Sequence, residues 1–251
     1  MRRGIQKDTS LNFILKIESL VTYSISCIKI GDKFDSQYVN KLYDMVRLQS
    51  DAPFYCFTDD PTGVKQGVNI VNIDVSEYEL WYNWWPAWYK IEMFVKPELR
   101  KYTRKIFFDL DVIIHGDISD ILNHDADFAL VYSTWKGLPF KIKYPKKSLF
   151  NSSVIVWKDA SHVYEHFMKS PKDFVSKYAG TDDFYHNEKI KRTQLPHCIY
   201  SYRDGEKPNQ YNSFVLRKHK SIALLHQKPK NHELNIYDHP ILKYWNGNDT
   251  A

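Results

Sequence analysis

Residues Lys105–Asp117 read KIFFDLDVIIHGD. Four residues of buried-strand character run directly into two aspartates one residue apart, Asp109 and Asp111, and the apolar stretch then resumes. A carboxylate in or beside an apolar strand is costly unless a positive group meets it. Residues two apart in a strand point the same way, about 6–7 Å apart. Positions just past the C-terminal end of a strand lie on the face where open α/β sheets bind ligands. Two carboxylates there repel, which raises the pKa of one of them unless a cation neutralises the pair. A hard divalent ion with oxygen ligands does this and is commonly shared with substrate phosphates. Three readings stay open on these letters alone: a metal pair, a nucleophile with its acid/base partner, and a pair that merely caps a turn.

The surrounding composition narrows the field. A chain of 251 residues with 43% hydrophobic residues suits one large domain with a full core. The charge balance, 35 − 30 = +5, fits a polyanionic ligand such as a nucleotide and is too weak for duplex DNA. Aromatics make up 16% of the chain, enough to fill a core and to offer platforms for bases or sugar rings. Cys27, Cys56 and Cys198 are isolated, an odd set that predicts reduced thiols and a reducing, cytoplasmic setting. The apolar N-terminal run is broken by Lys16 and Glu18, short of a membrane span, and no signal-peptide core follows MRRGIQK.

Strands are expected over Tyr23–Ile30, PFYCFTDD, VNIVNIDV, KIFFDLDVII, DFALVYS, SLFNSSVIVW, PHCIYSY and SIALLHQK. A helix is expected from Ser36, where Tyr38, Leu42, Met45 and Val46 recur at helical spacing behind a cap at Asp35 or Ser36. Further helices are expected over Trp88–Val95, DASHVYEHFMKS and PKDFVSKYAG, the last ending on Gly180 as its C-terminal cap. The basic stretch Gly137–Lys147 reads as a loop. This order predicts an α/β fold: a single domain with a mixed central sheet flanked by helices. The strand order suggests a nucleotide-binding half over about residues 20–125, with a second half over about 126–235 and a tail over 236–251.

At the blocks PFYCFTDD, WW…WYK, FFDLDVIIHGDI, LFNSSVIVW, TDDFYHNE and LLHQK, the chain resembles the GT-A fold nucleotide-sugar glycosyltransferases, family 8 in particular. The blocks come in that family's order and span roughly Tyr23 to Lys230. The resemblance implies transfer of a sugar from a nucleoside diphosphate donor, UDP-linked, to an acceptor hydroxyl with retention of configuration. It implies a Mn²⁺ or Mg²⁺ ion held by Asp109, Asp111 and His226, and imidazole with carboxylates suits manganese better than calcium. Thr58, Asp59 and Asp60 match the place that recognises uracil or ribose, with Lys29 beside the nucleotide cleft. Lys90 matches a basic position that reaches donor sugar or phosphate, where it would offset leaving-group charge.

In FNSSV, which stands where the family has F-N-x-G-V, Asn151 would reach the donor sugar. Ser153 replaces the glycine, and Trp157 would face inward. Asp182 would bond sugar hydroxyls. Asp183 replaces a glutamine near the anomeric carbon, where a carboxylate could stabilise or attack an oxocarbenium-like centre. Lys228 or Lys230 would contact the diphosphate, although HQKPK lacks the glycine and tryptophan of the usual H-x-x-G-x-K-P-W.

Each of these residues also has an ordinary role open to it. Thr58–Asp60 is a good turn, Lys90 can snorkel, Thr181–Asp183 suits a helix start, and a lone His226 can serve as a hydrogen-bonder. The letters FFDLDVII also resemble the first motif of haloacid-dehalogenase-like phosphatases, in which Asp109 would be the nucleophile and Asp111 the acid/base. That motif opens its domain, whereas here other predicted strands come first. A non-catalytic carbohydrate-binding protein is the third reading. Expected partners are a nucleotide sugar and a carbohydrate or other hydroxyl acceptor, with no nucleic acid. Membrane association is at most peripheral, through the basic loop or the basic N-terminus.

Overall fold

The computed structural model describes residues 22–75, 86–202, 216–226, 230–233 and 240–247. Lys228 and the aromatic run 81–85 lie outside them. The first unit is strand β1 (Tyr23–Lys29), helix α1 (Ser36–Arg47), β2 (Phe54–Thr58) and β3 (Asn69–Asn72). Asp35 caps α1 by accepting the Gln37 amide at 2.9 Å, and Tyr38, Val39, Leu42, Met45 and Val46 form its buried stripe. After a 3₁₀-helix over Pro86–Val95 come β4 (Arg104–Phe108), β5 (Val112–Ile114), α2 (Ser119–Leu122) and β6 (Phe128–Tyr132). Then follow α3 (Leu138–Lys143), β7 (Phe150–Trp157), α4 (Ser161–Phe167), α5 (Pro171–Lys177) and α6 (Thr181–Asn187). The chain closes with β8 (Thr193–Gln194), β9 (Ile199–Ser201), β10 (Ile222–Leu224) and α7 (Leu242–Asn246).

Seven strands form one sheet in the order β3-β2-β1-β4-β7-β6-β8, and β5-β10-β9 form a second. Among the described strands of the large sheet, β7 alone runs against the rest, because it pairs antiparallel with both β4 and β6. Both faces are covered, so alternate residues enter two different cores. Ile106 and Phe108 of β4, with Val154 and Val156 of β7, pack on the α1 side. Phe107, Ile155 and Trp157 pack on the other side, against Trp88, Phe167 and Phe184. Cys27 and Cys56 are register partners on β1 and β2 and are buried free thiols; Cys198 is a free thiol too, but only partly buried.

The structure corrects several expectations. KIFFDLDVII is not one strand but two, β4 and β5, which belong to different sheets. The Asp109 amide still bonds the Ser153 carbonyl of β7 at 2.8 Å, whereas the Asp111 carbonyl already receives the Leu225 amide at 3.0 Å. The chain therefore changes sheets across Asp109-Leu110-Asp111, and Leu110 plugs the α1-side core between the two carboxylates. Trp88–Val95 is helical as expected but in the tighter 3₁₀ form, with Trp88 to Phe94 buried in succession. The basic loop contains α3, entered through Pro139, which is tolerated in a first helical turn. Gly180 does not cap the preceding helix. That helix stops at Lys177 with Tyr178 extended, and Gly180 instead leads into α6 with an extended backbone.

Candidate active site

Strand order places the site. The chain builds β1, β2 and β3 outward in one direction and then returns to lay β4 on the other flank of β1. A crevice at the carboxyl ends of parallel strands forms at such a switch point. Lys29 ends β1, Thr58 ends β2 and Asp109 follows β4. Because β7 runs the other way, its first residues, Phe150 to Ser153, lie beside the end of β4. Sequence blocks far apart in the chain thus reach one edge of the sheet.

At the centre of that edge Lys90 grips Asp109, its Nζ standing 2.7 Å from Oδ1 and 2.9 Å from Oδ2. Lys90 also donates to the Ser152 carbonyl at 3.1 Å. The lysine side chain is 8% exposed and the aspartate 25%, so the pair faces the crevice on its acidic side. Burial holds the Asp109 carboxyl above its ordinary range; the Lys90 charge opposes that shift and the neighbouring Asp111 adds to it. Asp111 is met by a second lysine, Lys230, whose ammonium also donates to the Leu225 carbonyl at 3.2 Å.

The third carboxylate is Asp182, in the first turn of α6. Its Oδ1 accepts the Ser152 amide at 2.8 Å, and its Oδ2 lies 3.5 Å from the Asn151 amide nitrogen. Burial pushes this carboxyl up too, opposed by the Ser152 hydrogen bond and by Lys90 and Lys136. Lys90, Asp109, Asn151, Ser152 and Asp182 therefore form one connected polar network, with Thr181 joined to it through its hydroxyl at 3.2 Å from that of Ser152.

The remaining sequence-predicted residues sit around this network. Thr58 closes the turn after β2: its hydroxyl donates to the Asp60 carbonyl at 2.9 Å and accepts the Asp60 amide at 3.1 Å. Asp59 accepts the Gly31 amide at 3.0 Å and is exposed, while the buried Lys29 donates to the Asp60 carbonyl at 3.1 Å. Asp183 turns from Asp182 toward the segment after α3, pairing with Lys147 at 2.7 Å and accepting the Ser148 amide at 3.1 Å. The His226 ring stacks on Trp135 with centroids 5.6 Å apart, and its Nε2 lies 3.4 Å from the Ser201 hydroxyl. Among the described residues no three His, Cys, Asp or Glu side chains stand close enough to share a metal ion. Carboxylate oxygens such as those of Asp109 and Asp111 are of the donor type that hard divalent ions bind.

Sequence reasoning missed Ser152, which joins Lys90 to Asp182 through its carbonyl and amide. It also missed Trp135, which backs His226, and Lys136, which acts on Asp182 by charge. Lys230 was read as a phosphate contact and here reaches Asp111. Ser152, Trp135 and Lys136 were not singled out, and the Asp111 partner of Lys230 was not foreseen, since each role comes from a neighbour supplied by another element.

No family model matches the chain, and no curated protein sequence matches it. Solved structures do. The galactosyltransferase LgtC, determined with donor and acceptor sugar analogues, superposes with a TM-score of 0.57 at 10% identity, over 91% of this chain and 96% of that one. The Streptococcus pneumoniae TIGR4 glycosyltransferase GlyE, in its apo form, gives 0.57 at 13% identity over 90% of this chain and 62% of that one. The bifunctional glycosyltransferase WbbM gives 0.55 at 11% identity over 92% of this chain; the chain spans 52% of that protein. At such identities the likeness lies in the fold: a mixed α/β sheet with flanking helices, shared with solved glycosyltransferases of the GT-A kind.

Proposed function

We propose that this chain transfers a sugar from a nucleoside diphosphate sugar, with uridine as the nucleoside, to an acceptor hydroxyl. The observation that carries the reading is the Lys90–Asp109–Ser152–Asp182 network at the switch point of a fold that glycosyltransferases share. The Thr58–Asp60 turn and Lys29 line the side of the crevice that receives the nucleoside, and Asp59 offers an exposed carboxylate to a base or ribose donor. Lys90 lies where negative charge grows as the sugar–phosphate bond breaks, and a preorganised buried cation stabilises that charge. Asp182, fixed by Ser152 and Asn151, accepts hydrogen bonds from the hydroxyls of the donor sugar. Asp109 and Asp111 would hold Mn²⁺ or Mg²⁺, which when bound supplies Lewis-acid compensation for the leaving diphosphate. Retention of the anomeric configuration belongs to the same proposal and rests on the family resemblance.

A melting screen tests the reading. UDP at a hundredfold excess over its Kd should add about 2.7 kcal/mol to folding stability. In a domain of this size that raises Tm by roughly 5–10 °C. The shift should require Mn²⁺ or Mg²⁺ and vanish in Asp109→Asn/Asp111→Asn. No metal-dependent response to UDP or its sugars overturns the proposal. Phosphomonoester hydrolysis that is lost in Asp109→Asn without any UDP response would return the site to the phosphatase reading.

A further inference from the structure

Among the described residues the exposed large hydrophobics Leu48, Ile70 and Met168 lie apart from one another in the chain, whereas three cluster on α3 and the turn after it. Among the described residues Leu138 is 70% exposed and Ile142 is 72%, the two highest values for large hydrophobics, and Tyr144 close by is 43% exposed. Leu138 and Ile142 are four apart on α3 and so share one helix face. The charge around them has a single sign. Between Asp127 and Asp159 the sequence holds no acidic residue and six lysines, namely Lys136, Lys141, Lys143, Lys146, Lys147 and Lys158. Lys136 turns inward to the Ser148 carbonyl and Lys147 pairs with Asp183, while Lys141, Lys143 and Lys146 are exposed beside the aliphatic pair.

We infer that the face made by α3 and the turn after it, Leu138–Lys147, docks on the surface of an anionic lipid bilayer. Two bare aliphatic side chains with a tyrosine and the exposed Lys141, Lys143 and Lys146 make up an interfacial anchor: the apolar groups enter the headgroup boundary and the lysines meet lipid phosphates. A merely solvated basic face gives no reason for Leu138 and Ile142 to point outward. The segment is also firmly rooted. Asp183 holds Lys147 and the Ser148 amide, and the Asn187 side chain donates to the Lys146 carbonyl at 3.0 Å and to the Asp183 carbonyl at 2.7 Å. A docked face would therefore hold α6, which carries Asp182, at a fixed relation to the membrane.

The test is flotation of the full chain with vesicles of phosphatidylcholine alone and of phosphatidylcholine with one quarter phosphatidylglycerol. The protein should float only with the anionic vesicles and be released by high salt. Lys141→Gln/Lys143→Gln should weaken partitioning roughly 30-fold. Leu138→Ser/Ile142→Ser should weaken it by about tenfold or more, because burial of both apolar side chains is lost. All four positions are surface sites, and unchanged melting temperatures would show that the variants fold. A wild-type chain that ignores anionic vesicles overturns the inference, as does vesicle binding that either pair of substitutions leaves intact. Binding to soluble polyglutamate without vesicle binding would overturn it in favour of an acidic protein partner.

Discussion

Lys90 and Asp109 should be energetically coupled, and a double-mutant cycle measures by how much. Lys90→Met removes the ammonium and leaves Asp109, three-quarters buried, facing Asp111 with its main compensation gone. Breaking a fully buried pair costs about 3–5 kcal/mol; the exposure of Asp109 to the crevice lowers the expectation to about 2–3 kcal/mol. Asp109→Asn leaves the more deeply buried Lys90 with the Ser152 carbonyl as acceptor, for a loss of about 2 kcal/mol. Lys90→Met/Asp109→Asn leaves neither charge unpaired, so its loss should fall below the sum of the two singles by roughly 2 kcal/mol.

Urea and thermal melts near neutral pH give the four stabilities. The pH dependence supplies an independent check. The folded-state pKa of Asp109 lies above its unfolded value, so the native state binds the proton more tightly, and stability falls as pH rises from the usual carboxylate value through the folded one. Lys90→Met should push the upper end of that window higher. Turnover should behave differently from stability: the second substitution should cost the Lys90→Met variant little further stability, yet on the proposed function every variant that lacks the ammonium should be inactive. Additivity within about 0.5 kcal/mol would refute the coupling.

Three further outcomes are expected. His115, whose pKa burial lowers from 6.5 to about 4, is neutral in the folded state, so its contribution is complete above 6.5 and is lost as pH falls toward 4. The loss from pH 7 to pH 5 is up to about 2 kcal/mol, and His115→Gln should flatten it in urea melts; an unchanged acid slope would assign the loss elsewhere. Lys230→Met frees Asp111 of its ammonium and should raise nucleotide-free Mn²⁺ affinity several-fold by titration calorimetry; unchanged affinity would mean that Lys230 does not compete for that carboxylate. Asp59→Ala, at an exposed position, should leave Tm nearly unchanged and weaken UDP binding by about tenfold, the worth of one good hydrogen bond; equal UDP affinity would move nucleoside recognition away from the Thr58–Asp60 turn.

Much of the large sheet was legible because its strands are buried on both faces and read as short apolar runs. Ile106, Phe107 and Phe108 are all buried, as are Val154 to Trp157. The start of α1 was legible through Asp35, whose cap depends only on neighbours in sequence. The change of sheet at Asp109–Asp111 was not, because apolar residues continue on both sides of it and only the pairing partners differ. β4 pairs with β1 and β7, whereas β5 pairs with β10, more than a hundred residues later. The same holds for the site. The two carboxylates could be found from their spacing, but Lys230, 119 residues from Asp111, could not be matched to it by any local pattern.

The lysines bear on what the carboxylates are for. Asp109, Asp111 and Asp182 contribute three negative charges, and Lys90, Lys230 and Lys136 contribute three positive ones, so these six side chains balance, and Arg192 is a further cation that acts on Asp182. On the proposed function, a nucleotide-sugar diphosphate would bring two negative charges into this half-buried place, where unpaired charge is costly. These six side chains cannot offset them while the ammoniums stay on the aspartates. Either Lys90 and Lys230 turn from the carboxylates to the phosphates, or a cation of charge two enters with the donor. The two routes would converge, since Asp109 and Asp111 are the residues that would hold a divalent ion, whose charge would replace that of the lysines and leave Lys90 and Lys230 for the diphosphate. On this reasoning Lys230 would be the placeholder of the donor-free state, and ion and donor should bind with positive cooperativity, each raising the affinity of the other by the same factor.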